Sequence, residues 1–169
     1  MKLSFGTIFN NQPNYFLEKI WIGLRAGGTD LEDTYFNYQR RHLEKFGRCW
    51  DGDTFGEFME AKIHTLRRDI GNHWKAGENI QLVTGLNTPD EFQFAPVLKC
   101  QSVQRIEIDY SGLISSRVPA VFMDYELADE ATVARLAVND GFATVEDFFL
   151  YFNENFIGNL VHWTPCRYG

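Results

Sequence analysis

At 169 residues the chain has the length of one domain, with a core that takes roughly 70% of the unfolded surface out of water. A formal charge of -7 excludes a protein that grips long nucleic acid through a broad basic face, because Lys and Arg supply most of that affinity by neutralising phosphates. Fifteen Phe, seven Tyr and four Trp make large rings the main material of the core, or of a pocket wall.

In chain order, Leu3 and Phe5 followed by Ile8-Phe9 predict a first strand over 2–9, stopped by Asn10-Asn11-Gln12-Pro13. With Asn14 as N-cap, Phe16, Leu17, Ile20, Trp21 and Leu24 recur at helical spacing until Gly27-Gly28. A more polar helix over 33–47 carries Tyr35, Phe36, Leu43 and Phe46, with Arg40 and Arg41 on its wetter side and Gly47 to end it. The loop Asp51-Gly52-Asp53 follows, and Thr54-Phe55-Gly56-Glu57 has capping-box spacing, so a short helix through Phe58 and Met59 is expected to deliver the chain to Lys62.

Residues 80–84, 97–109 and 117–127 are rich in Val, Ile and aromatic side chains and are separated by Pro, Gly and Asn, which reads as strands. Asp129 caps a helix with Val133, Leu136 and Ala137 inward, ending at Asn139-Asp140-Gly141, where Gly141 suits a left-handed stop. Thr144 opens a last helix whose apolar face runs through Phe148, Phe149, Tyr151, Phe152 and Phe156 to Gly158, and 160–163 closes the chain as a strand. Helices first, several strands in the centre and no regular strand–helix alternation predict an α+β fold with a mainly antiparallel, barrel-like sheet in a single domain.

Cys49, Cys100 and Cys166 are odd in number and far apart, so reduced thiols and a cytoplasmic location are expected rather than a disulfide framework or zinc knuckle. The N-terminal residues are interrupted by polar side chains too early for a signal peptide, and no window approaches a membrane span. His64 and His73 lack a carboxylate or thiolate at a ligand spacing, so neither a metal nor a cofactor is expected, while His162 reads as a strand residue with a satisfied ring.

Lys62-Ile63-His64-Thr65-Leu66-Arg67-Arg68 concentrates an amine, an imidazole, a hydroxyl and two guanidiniums at a helix-to-strand junction. On a straight strand Lys62 and Thr65 would point to opposite faces, whereas a junction can bring both into one cleft. Arg67, Arg68 and Lys75 form a local positive patch, either a solvated face or an anion site, and Trp74 beside it is either core or a ring on which a base stacks. Lys62 and Thr65 also have a purely structural reading, as a helix end and the start of a strand, and Asp140 before Gly141 is an ordinary helix stop.

The stretch resembles the ASCH family, whose signature is K-x-x-T-x-R followed by an aromatic residue, a K-x-G turn and a strand. The matching residues are Lys62, Thr65 and Arg67, then Trp74-Lys75-Ala76-Gly77 and 78–80; the 103–108 strand and Asn139-Asp140-Gly141-Phe142 with Phe148-Phe149 are similar too. The resemblance covers roughly residues 57–164 and implies a PUA-like (ASCH) β-barrel with surrounding helices and a cleft for nucleosides or short single-stranded RNA. One bacterial branch hydrolyses N4-acetylcytidine with a Lys and a Thr of the signature and a Glu from the later helical region; that Glu position aligns with Asp140, one methylene shorter. The resemblance therefore implies catalytic parts for Lys62, Thr65 and Asp140, and ligand contacts from His64, Arg67, Arg68, Trp74 and Lys75. Thr65 attacking an amide carbonyl with Lys62 as base, and Asp140 activating water, are both open. A helical insertion at about 25–56 departs from the family pattern and offers a surface for a protein partner, as a non-catalytic phage-type interaction protein would use.

Overall fold

In the computed structural model, residues 1–27, 31–50, 59–69, 71–112 and 118–169 are described. Along the chain run β1 (Lys2–Ser4), β2 (Ile8–Phe9), β3 (Gln12–Pro13), α1 (Phe16–Ala26), α2 (Glu32–Phe46), β4 (His64–Arg67), β5 (Asn79–Thr84) and β6 (Phe92–Gln93). They are followed by β7 (Leu98–Lys99), β8 (Ser102–Asp109), β9 (Ala120–Met123), β10 (Glu126–Leu127), α3 (Glu130–Asn139), α4 (Val145–Tyr151) and β11 (Phe156–His162). The fold is α+β with mostly antiparallel pairing, and among the described residues its sheets are open paths of strands rather than the closed barrel expected. The expected loop 51–53 and the helix start at 54–58 lie outside the described residues, as do Gly28 and Arg117; residues 59–63 enter β4 without helix. No helix among the described residues is long and apolar enough to cross a membrane.

The chain divides into two compact units, one of residues 1–62 and 79–98, the other of 63–78 and 99–169. In the first, β1 runs parallel to β5 with Leu3 opposite Leu82, and β5 pairs antiparallel with β6. The expected strand over 2–9 is two strands, because Asn10 and Asn11 (φ 50° and 59°) turn β2 straight back into β3. Asn and Asp tolerate this left-handed region better than most residues, which makes Asn-Asn a hairpin turn. Helix α1 begins two residues past the predicted cap. Asn14 still serves it, since its side-chain oxygen accepts the Phe16 N–H at 3.1 Å while Tyr15 takes a left-handed conformation. The predicted apolar stripe is the buried face: Phe16, Leu17, Ile20 and Trp21 are at most 6% exposed, and the Trp21 indole N–H donates to the Phe94 carbonyl at 2.9 Å. Helix α2 ends as predicted at Gly47, whose φ of 69° is one a residue with a Cβ adopts only under strain.

In the second unit five strands run in the order β10-β9-β8-β11-β4, every pair antiparallel. Strand β8 alternates, with Gln104, Ile106 and Ile108 inward, whereas β11, set between β8 and β4, is buried at nearly every position. Asp129 and Thr144 cap α3 and α4 as predicted, accepting the N–H groups of Thr132 and Asp147 at 2.8 and 3.0 Å. Gly141 follows α3 at φ 94°.

The last helix is shorter than the ring pattern predicts: it stops at Tyr151, and Phe156 and Gly158 belong to β11. Gly158 does not end a helix. A Cβ there would come within 2.2 Å of the Arg67 carbonyl oxygen, so the glycine lets β11 and β4 approach.

Candidate functional site

Among the described residues the signature strand β4 pairs only with β11, and the register sets His64 opposite His162, Thr65 opposite Val161 and Arg67 opposite Asn159. Side chains alternate along a strand, so Thr65 and Arg67 share one face while His64 and Leu66 share the other. The strand is anchored to the end of α3 by the Ile63 N–H, which donates to the Asn139 carbonyl at 2.9 Å. This bond brings the strand start beside Asp140, the residue that caps α3. Asp140 is 2% exposed, and its Oδ1 lies 3.6 Å from His64 Nδ1.

His64 is fully buried. Its Nε2 is 2.7 Å from the Tyr168 hydroxyl, to which the Asn139 amide donates at 2.7 Å. That hydroxyl accepts the Asn139 proton and either donates to or accepts from His64 Nε2 according to the imidazole tautomer. Tyr168 is fixed in turn by Gln104, whose amide donates to the Tyr168 carbonyl at 2.7 Å and whose oxygen accepts the Tyr168 N–H at 2.9 Å. Burial raises the Tyr168 hydroxyl above the ordinary phenol range, against a smaller opposite pull from the Asn139 hydrogen bond.

Arg67 is half-buried. Desolvation lowers its pKa and the Asp140 charge works against that shift, which places the guanidinium in the field of the carboxylate. Thr65 is 5% exposed. Lys62 is the last residue of the first unit and is 1% exposed; its backbone N–H donates to the Lys19 carbonyl at 3.0 Å, and its Nζ lies 4.6 Å from the centroid of the Phe16 ring and 5.9 Å from that of Phe5.

The remaining residues of the basic stretch are spread out. Arg68 is exposed, bonded to Glu154 at 2.6 Å and set over the Phe156 ring at 5.1 Å. Lys75 is exposed and Trp74 half-buried, and the backbone between them leads into a tight turn in which Gly77 has φ 86°.

Two features went unread in the sequence. Asp69, whose side chain is 1% exposed, organises the loop before Trp74. Burial pushes its carboxyl pKa up, but the N–H groups of His73 and Trp74, the His73 ring and the Asn159 amide outweigh it and hold the group at about 2. An Asp two residues before a Gly-Asn pair is a turn signal, though its partner Asn159 lies 90 residues away.

The second feature is His162, which the sequence reads as satisfied. Its ring is fully buried with no hydrogen-bond partner for either nitrogen among the described residues, stacked edge-on against His64 at 5.3 Å. Desolvation, then the neighbouring His64 and Arg167, lower its pKa to about 3.

Among the described residues no three His, Cys, Asp or Glu side chains group so as to hold a metal ion. Compared with models of protein families, with curated proteins and with solved structures, the chain has no match.

Proposed function

We propose that the protein is an ASCH-like, PUA-like protein that binds a nucleoside or a short single-stranded RNA and removes an acyl group from a modified base such as N4-acetylcytidine. The observation that carries this reading is the burial of ionisable and hydroxyl side chains along the signature: Thr65 at 5% and Asp140 at 2% exposure, with Arg67 in the Asp140 field. Buried charge is costly to a fold, and such groups concentrate where chemistry needs them. The Gly77 turn and the capped α3 leading into Asp140 support the same reading, because the signature implies both.

In this reading Thr65 Oγ attacks the acyl carbonyl carbon, and Arg67, on the same face of β4, stabilises the oxyanion. The C–N bond then breaks, the base nitrogen recovers the proton released by Thr65, and water hydrolyses the acyl-threonine ester. Lys62 enters as the proton acceptor through the resemblance, and burial is the condition under which a lysine amine serves as a base. Asp140 supplies the opposite charge to Arg67 and lies beside the His64 ring, so in this reading it acts by orienting groups.

Calorimetric titration tests the binding half. Cytidine and N4-acetylcytidine are expected to bind the parent protein, and Arg67→Met is expected to weaken N4-acetylcytidine binding about tenfold, roughly 1.4 kcal/mol. No heat from either nucleoside up to millimolar concentration would remove the reading.

A second reading, a non-catalytic protein that docks a partner through the helical insertion, is favoured by one observation. Phe36 and Leu43 on α2 are 60% and 44% exposed and stand seven residues apart, on one helix face.

A further inference from the structure

The first unit contains a pocket of about 200 Å³ that no signature residue lines. It opens at the start of α1, and its wall includes Tyr15, His42 and Trp50. At ~30 Å³ per water molecule, the space equals about seven waters, which admits a single small ring and excludes a nucleic-acid strand or a peptide segment.

Trp50 supplies the first chemical clue. The residue is 6% exposed and its indole N–H is buried, with no acceptor present among the described residues. An indole nitrogen is a donor and nothing else, so a buried one calls for an acceptor. The ring packs against Tyr35 at 5.8 Å, His42 at 5.7 Å and Trp21 at 6.4 Å between centroids, and turning it toward another partner would break this packing.

His42 supplies the second. Its Nδ1 lies 2.8 Å from the Arg48 carbonyl oxygen. A carbonyl only accepts, so Nδ1 carries the imidazole proton, and in the neutral ring Nε2 is left as an acceptor. The Nδ1 bond is the one hydrogen bond of this ring among the described residues. Phe46 at 4.6 Å and Phe92 at 5.3 Å hold the imidazole beside Trp50. Two neighbouring rings of the wall therefore offer one fixed donor and one fixed acceptor.

The other polar groups narrow the choice. Asn14 is used inside the fold, donating to the Gly6 carbonyl and accepting from Phe16. Glu18 and Arg48, the two charged residues of the wall, have partners within the fold, so the groups that select a ligand are uncharged. An ion entering this space would give up its hydration with no counter-charge set aside for it. An uncharged molecule fits if a carbonyl oxygen meets the indole N–H and an N–H meets the imidazole Nε2. The ring that carries both side by side is a lactam, a cyclic amide.

We propose that this pocket binds an uncharged lactam, its carbonyl oxygen accepting the Trp50 indole N–H and its own N–H donating to His42 Nε2. The same edge occurs on saturated cyclic amides and on oxo-pyrimidines such as uracil. The site shares no residue with the nucleoside reading, so each stands or falls without the other.

The test is a titration of the 15N-labelled full chain at about pH 8, above the ordinary imidazole range, with 2-piperidone and with uracil. The indole N–H resonances are followed, that of Trp50 being assigned through its NOEs to His42 and Tyr35. A saturable shift of the Trp50 resonance is expected, and the tighter of the two compounds tells a saturated lactam from an oxo-pyrimidine. N-methyl-2-piperidone and 1,3-dimethyluracil, which keep the carbonyl and lack the N–H, are expected to bind at least tenfold more weakly. His42→Phe is expected to weaken the better lactam about tenfold and to abolish its advantage over the methylated form. A Trp50 resonance that stays in place up to about 20 mM of both compounds, far above a millimolar dissociation constant, overturns the proposal. So does a resonance that moves equally with the methylated forms, or with cytidine, whose ring has no N–H beside its carbonyl. The parent protein alone delivers these readings, so a variant that fails to fold does not protect the idea.

Discussion

Replacing Phe148 by Ala is expected to lower the stability of the second unit by about 3–5 kcal/mol, the range for a large buried ring cut to a methyl group. Phe148 is fully buried and meets three rings: Phe142 at 5.6 Å, Phe149 at 5.3 Å and Phe152 at 5.0 Å between centroids. Phe152 passes the contact on to Phe156 at the start of β11, so the ring cluster joins α4 to an interior strand of the sheet. Removing it leaves a cavity bounded by rigid rings, which relax poorly into empty space. Leu150, two residues on and 50% exposed, provides the contrast; its replacement by Ala is expected to change stability by no more than about 0.5 kcal/mol. Denaturant unfolding of the two variants measures both, and a Phe148→Ala loss below about 1 kcal/mol would mean that this cluster does not hold the unit together.

The second large effect is one of pH. His162 is expected to cost the folded protein stability as acid is added. Its folded pKa is about 3 against an ordinary 6.5, so between those values the unfolded chain binds a proton that the folded chain refuses. Stability therefore rises with pH across that window, and the contribution lost on going from neutral pH to about pH 3 is on the order of 4 kcal/mol. Below that the folded ring is itself protonated and the slope from this group vanishes. His162→Leu removes the group without stranding a hydrogen-bond partner, since neither ring nitrogen has one among the described residues. The variant is expected to match or exceed the parent at pH 4 and to show a flatter profile from pH 7 to 4. Parallel profiles for parent and variant would show that the ring finds a proton-accepting partner in solution.

The elements that were legible in the sequence are those coded by local chemistry. Asp129 and Thr144 sit where a short polar side chain must take up a free helix N–H, and Gly47 where only a residue without a Cβ turns left-handed at no cost. The α1 stripe was legible for the same reason, as helical spacing of large apolar residues has one economical arrangement.

The misreadings come from tertiary context. Phe156 and Gly158 continue a helical ring pattern, yet they lie in β11 because the strand must reach both β8 and β4, and nothing local to 152–158 records those partners. The same holds for the candidate site. Thr65, Arg67 and Asp140 stood out as residue types in a spaced motif, whereas Gln104 and Tyr168, which fix His64 from 40 and 104 residues away, carry no local mark. For His162, alternation with apolar neighbours shows that the side chain is inside, not whether its nitrogens find partners there.

Hydrolysis of N4-acetylcytidine by the purified protein, followed by chromatography of the released cytidine, tests the central claim most directly. The account predicts turnover by the parent protein and its loss by at least a hundredfold in both Thr65→Ala and Lys62→Ala, with each variant still folded by circular dichroism. A parent protein that releases no cytidine, or a Thr65→Ala variant that turns over as fast as the parent, would contradict it.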